Sequence, residues 1–235
     1  MTGDGLPPGG DDLDRLCGVL GHRFADPALL REAVSHPSLL GLSRNAAREY
    51  ERLEFLGDRV LGLVIAEWLI ERFPEEPEGA LARRHTALVR AETLAAVAEA
   101  IDLGAHLRLS PAEGEAGGRT KPAILADACE AVIGALYRDG GLAAAQSFIR
   151  ARWVAVLEGT ASPPQDPKTA LQEWSMAQGR GLPVYETLAR TGPDHAPIFR
   201  VKVAVAGLGE ATGEGPSKRA AEKAAAVALL PGTTG

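Results

Sequence analysis

The chain has 235 residues, 46% of them hydrophobic, and a formal net charge of −6. That apolar content suffices for one or two packed domains and excludes a disordered chain. An acidic total excludes nucleic-acid binding by overall charge alone, so such a role has to rest on where the cations sit.

Residues 1–12 are polar, acidic and rich in Gly and Pro, which predicts a disordered lead and no signal peptide. From 13 to 158 the apolar residues recur at helical spacing, with breakers at Pro37, Pro74 to Gly79 and Gly114 to Pro122, predicting six to eight helices. The longest apolar stretch, Val60 to Ile70, is interrupted by Glu67 and is too short to cross a membrane. Cys17 and Cys129 are far apart and outside any CxxC spacing, which argues against a zinc site or a disulfide scaffold. They read as two reduced, buried thiols of a cytoplasmic protein.

Two segments of this helical part carry acids on otherwise apolar surfaces. In Glu51 to Gly62, Glu51, Glu54 and Asp58 fall at i, i+3 and i+7, on one helix face. In Ile124 to Tyr137, Asp127 and Glu130 fall at i and i+3. Carboxylates aligned in this way repel one another, and a divalent cation with a preference for oxygen ligands is the simplest reason to hold them together. A solvated acidic face, or pairing with Arg52 and Arg59, is the plainer alternative for either segment alone. A di-iron site would want Glu-x-x-His, which His22, His36, His85 and His106 do not supply. No GxSxG marks a nucleophilic serine. All-carboxylate magnesium sites point to phosphoryl chemistry.

Residues 159–165 are small, polar and proline-containing, a linker signal. Beyond them the pattern changes. Asp166 caps a helix over Pro167 to Gly179, period-two strands follow at Val184 to Ala189 and Ile198 to Val205, and a third strand spans Leu208 to Thr212. A last helix covers Ser217 to Leu230. From Asp166 on, eight basic side chains face seven acidic ones, while the rest of the chain carries −7. The turn Gly213-Glu214-Gly215-Pro216-Ser217-Lys218 lacks the Gly-Lys-Ser/Thr order of a nucleotide-binding loop, so no nucleotide cofactor is expected. Trp68, Trp153 and Trp174 read as packing residues.

The run Glu51-Arg52-Leu53-Glu54-Phe55-Leu56-Gly57-Asp58 resembles the signature of the ribonuclease III family, and Leu125 to Tyr137 resembles its second catalytic segment. Ser35-His36-Pro37-Ser38, Glu78-Gly79 and Arg84 to Thr93 resemble further family elements, in the family's order. Residues 166–231 resemble a double-stranded RNA-binding domain in Asp166 to Glu173, Gly192 to His195 and Gly213 to Lys223.

The resemblance implies an all-α endonuclease domain at 13–158 and a small α+β (αβββα) RNA-binding domain at 166–231. It implies a magnesium-dependent endoribonuclease for double-stranded RNA, with manganese as a substitute. The family's products carry 5′-phosphate and 3′-hydroxyl ends, and its roles lie in rRNA, mRNA and small-RNA processing. It also implies a cytoplasmic homodimer with no membrane association. Asp58 and Glu130 match the family's essential pair, and Glu54, Asp127 and Glu130 its metal ligands. Glu51 and Glu78 match more peripheral acids. Gln172, Glu173 and His195 match positions that meet the minor grooves of A-form RNA, and Lys218, Arg219 and Lys223 positions that meet phosphates. Three departures stand out: Arg59 where small residues are usual, Tyr50 for asparagine or histidine, and Pro122-Ala123 for a polar pair. A binding protein on a retired nuclease fold and a small-phosphate hydrolase are the rivals, against which stand the intact four acids and the second-domain motifs.

Overall fold

The computed structural model describes residues 10–42, 44–159, 166–193 and 196–230. They form two compact units, divided between Pro163 and Pro164.

The first unit is helical. Helices α1 (Gly10–Leu20) and α2 (Pro27–Ala33) precede a 3-10 turn at Pro37–Leu42 and the long α3 (Arg44–Arg72). Then come α4 (Glu78–Val89), α5 (Ala91–Ala100), α6 (Leu103–His106), α7 (Pro111–Glu115) and α8 (Pro122–Glu158). Helix starts follow local chemistry. Asp26 accepts the Ala28 N–H ahead of α2, and Ser110 accepts the Glu113 N–H ahead of α7, each with proline at the first helical position. Helix α1 starts at Gly10, inside the segment expected to be disordered. The rest of that segment, 1–9, lies outside the described residues.

Helices α3 and α8 form the centre and pack on each other, with α5 against α8. Around Ile124 to Leu136, α8 is buried on nearly every side, so it reads as apolar except along the face that carries Asp127 and Glu130. Two glycines allow the helices to touch backbone to backbone. A Cβ on Gly57 would land inside the Glu130 carbonyl, and one on Gly134 inside the Leu53 carbonyl. Helix α8 bends at Gly141 (φ 68°), where Asp139 accepts from His22 and from the N–H groups of Ala25 and Asp26. Trp153 is fully buried and donates to the Leu88 carbonyl at 2.8 Å. Cys129 is buried as expected, but Cys17 is half-exposed on α1, whose single buried face is narrower than the cysteine's usual preference suggested. Among the described residues no helix is long and apolar enough to cross a membrane.

The second unit is α9 (Pro167–Ala177), strands β1 (Val184–Thr191), β2 (Ile198–Val205) and β3 (Gly209–Gly215), and α10 (Lys218–Leu229). The strands form an antiparallel sheet in the order β1-β2-β3, with a bulge between Thr187 and Ala189. Leu171, Val203, Val205, Ala225 and Ala226 make its core. Strand β3 runs three residues past the expected Thr212. Its glycine-rich end has no alternation to read, yet Phe199 and Arg200 pair with Gly215 and Glu214. Gly213 is required there, since a Cβ would strike the α10 backbone at Ala221 and Ala225. Asp166 caps α9 through the Lys168 N–H, and Ser217 caps α10 through the Ala220 N–H, so the last helix begins one residue later than expected. Helix α9 ends two residues early, at Ala177, ahead of the left-handed Gly179 (φ 66°).

Candidate active site and RNA-facing surface

The crossing of α3 and α8 brings the two acid pairs together. Gly57 lies between Glu54 and Asp58, and it is seated on the carbonyl of Glu130 itself. All four acids are half-buried, whereas Glu51 is exposed on the rim. Burial pushes the Glu130 carboxyl up to about 7, the charges of Glu54 and Asp127 add to the shift, and Arg59 opposes it. Glu54 is raised by burial and then by Asp127 and Glu51. Burial raises Asp127 as well, with His36 opposing. Like charges held half-dry in one another's field favour any species that brings positive charge.

Arg59, expected to pair with a nearby acid, does so. It pairs with its neighbour Asp58, and its guanidinium lies 4.8 Å from the centre of the Phe55 ring. The arginine thus sits at the mouth of the site with its charge reaching Glu130.

A second layer surrounds the acids. His36 accepts the Ser38 N–H at Nδ1 (3.1 Å), which leaves the proton of the neutral ring on Nε2. Burial lowers its pKa, against the opposing pull of Glu113 and Asp127. Its ring meets Tyr50 edge-on at 6.2 Å, and Tyr50 is buried with a hydroxyl that has no hydrogen-bond partner among the described residues. Lys121, just before α8, holds Glu113 at 2.6 Å. The sequence marked His36 and Tyr50 only as a motif member and a departure; the available signal was that Tyr50 precedes Glu54 by one helical turn.

Glu78 stands apart. It is exposed in the first turn of α4 and lines an apolar groove with Ile70, Leu81 and His85. Among the described residues no three acidic, histidine or cysteine side chains close tightly enough to enclose an ion as they stand. The donor set nonetheless fits a hard divalent cation: carboxylates alone, mutually repelling and partly desolvated, beside an unpartnered buried hydroxyl.

In the second unit, Gln172, Lys218, Arg219 and Lys223 line one concavity between α9 and α10. Lys218 and Arg219 are exposed at the start of α10. Lys223 holds Asp166 at 2.8 Å, and Lys168 holds Glu222 at 2.6 Å, so two ion pairs tie the helices together. Glu173 is exposed on α9 beside Gln172 but does not line the concavity. His195 lies outside the described residues.

Residues 26–157 match the model of a ribonuclease-III-like family, and residues 167–230 match the double-stranded RNA binding motif. Ribonuclease 3 of Caulobacter vibrioides is 51% identical over 220 residues, covering 93% of this chain and 94% of that one. The chain belongs to the ribonuclease III family. Ribonuclease 3 of Zymomonas mobilis is 47% identical over 211 residues, 90% of this chain and 83% of its own. The nuclease domain of ribonuclease III from Campylobacter jejuni, which has a region involved in dimer formation, is similar with a TM-score of 0.55 and 38% identity. The match covers 60% of this chain and 99% of that domain. The chain is an endoribonuclease of double-stranded RNA, a helical nuclease domain followed by an RNA-binding domain, in a family whose members depend on a metal ion.

Proposed function

We propose that Glu54, Asp127 and Glu130 hold magnesium, with manganese as a substitute, and that Asp58 and Glu130 are essential at the reacting centre. The observation that carries this reading is the close seating of Gly57 on the Glu130 carbonyl, at a crossing where burial and the charges of Glu54 and Asp127 lift Glu130 to about 7. When bound, the metal activates water and stabilises charge on the leaving oxygen of the phosphodiester. The chain's own residues supply the rest. The α3–α8 contact fixes the spacing of the acid pairs, Glu51 adds negative charge at the rim, and Arg59 offers a cation beside Asp58. The products carry 5′-phosphate and 3′-hydroxyl ends.

The RNA-binding domain holds the duplex by shape and backbone. Gln172 and Glu173 meet 2′-hydroxyls in one minor groove, His195 reaches the next, and Lys218 and Arg219, with Lys223 behind them, face the phosphates. The capped start of α10 adds its dipole to that attraction.

The enzyme acts as a homodimer. Phe55, Leu63 and Ile70 are 63%, 58% and 62% exposed along one stripe of α3, and the apolar groove at Ile70 and Leu81 adjoins it. A surface carrying both projection and groove suits a two-fold contact with a second copy. Glu78 lies at that groove, so its role is peripheral to the acids of its own chain. The compartment is the cytoplasm, and the substrates are structured rRNA, mRNA and small-RNA precursors.

The test is a labelled RNA duplex of several helical turns, incubated with and without magnesium, beside Glu130→Gln and a gel shift in calcium. Magnesium-dependent cutting that Glu130→Gln loses while binding persists supports the reading. Binding without cutting by the natural protein overturns it and turns attention to Arg59.

A further inference from the structure

Tyr50 is 2% exposed, and its hydroxyl is buried without a hydrogen-bond partner among the described residues. A buried hydroxyl left in this way is destabilising, and native proteins rarely keep one without a reason. Its place on α3 supplies the reason. Tyr50 precedes Glu54 by four residues and so shares the acid-bearing face. Its ring abuts His36, which lies in the field of Asp127. Burial holds the phenol pKa far above its usual range, and the charges of Asp127, Glu54 and Glu130 act in the same direction, Asp127 most strongly. The group therefore keeps its proton and is a neutral donor in the field of these acids, with no partner among the described residues.

A carboxylate that binds a metal through one oxygen leaves the other oxygen in need of a donor, and such outer partners orient the ligand. We propose that Tyr50 is a positioning residue of the metal site, its hydroxyl donating to the outer oxygen of Asp127 once a divalent cation draws the acids together. The assignment rests on the magnesium reading above. It gives a purpose to one of the chain's departures from the family pattern: the phenol reaches from the α3 face, where the usual shorter side chains stop earlier.

The experiment uses the full chain and Tyr50→Phe, which keeps the ring and its packing. Manganese alone, without RNA, is titrated into each by calorimetry. Binding 10- to 100-fold weaker in Tyr50→Phe is expected. The metal concentration giving half-maximal cutting should rise by the same factor, while the rate at saturating metal and the gel shift in calcium stay within about threefold. Melting supplies the readout that a packing role would not move. Without metal, Tyr50→Phe should melt no lower than the natural protein, because an unsatisfied hydroxyl has been removed. With manganese, its gain in Tm should be smaller. Equal manganese affinity in the two proteins, or a lower metal-free Tm in Tyr50→Phe, overturns the assignment and leaves the metal site standing. Failure of the natural protein to bind manganese overturns both.

Discussion

The two units solve opposite electrostatic problems. The nuclease domain gathers like charges, half-buries them and leaves Glu130 near 7. The RNA-binding domain spreads its charges at the surface and ties several into pairs, Lys223 with Asp166, Lys168 with Glu222 and Arg200 with Glu214. A site that does chemistry stores unfavourable interactions that a bound cation relieves, whereas a surface that reads backbone shape keeps its cations solvated and its scaffold neutral. Both units use one device to hold these arrangements, a glycine under a helix: Gly57 beneath Glu130 and Gly213 beneath α10.

The largest expected effects come from those glycines. Gly57→Ala forces α3 and α8 apart and should cost the nuclease domain about 3 kcal/mol or more, with cutting lost and the gel shift in calcium kept. Gly213→Ala should do the reverse, abolishing RNA binding while the nuclease domain melts as before. Melting curves that follow each domain, with paired cutting and gel-shift assays, check both. If either variant lowers the melting of both domains, the domains are not independent.

Charge removal comes next. Lys218→Ala and Arg219→Ala should each weaken binding alike across duplex sequences and flatten the slope of log affinity against log salt by about 1. Lys223→Gln should flatten that slope less, since its ammonium is shared with Asp166. Gel shifts over a salt series separate these outcomes.

The domains should also differ in the sign of their pH dependence. Glu130 binds its proton more tightly folded than unfolded, so its contribution is fully present below its ordinary value of 4.5 and is lost as pH rises to about 7. Glu130→Gln should remove that metal-free decline, read as Tm between pH 4.5 and 8. Asp166 is held below the ordinary aspartate range, by Lys223 above all. Its contribution is present above that range and disappears as pH falls through its lowered value. The smallest effect expected is Glu214→Gln, which breaks an exposed pair with Arg200 and should cost under about 1 kcal/mol.

Features written in neighbouring residues were legible. The i, i+3 and i+4 spacings of the acids, the cap at Asp166, and the period-two strands all arise within one or two turns of chain, where geometry is fixed by local sterics and hydrogen bonds. The glycine-rich end of β3 was not legible, because its strand character comes from its partner β2. Nor was the separation of Glu78 from the other acids, or the commitment of Lys223 to Asp166.

The sequence by itself determined the helical nuclease domain, the αβββα domain and the residues worth testing. Tertiary structure alone decided that Gly57 sits on Glu130, that Arg59 turns to Asp58, and that the Tyr50 hydroxyl is buried in the field of the acids with no partner among the described residues. These depend on contacts between residues tens of positions apart. They are set by how closely two helix backbones approach and by the partial loss of water around the charges, quantities that no local pattern encodes.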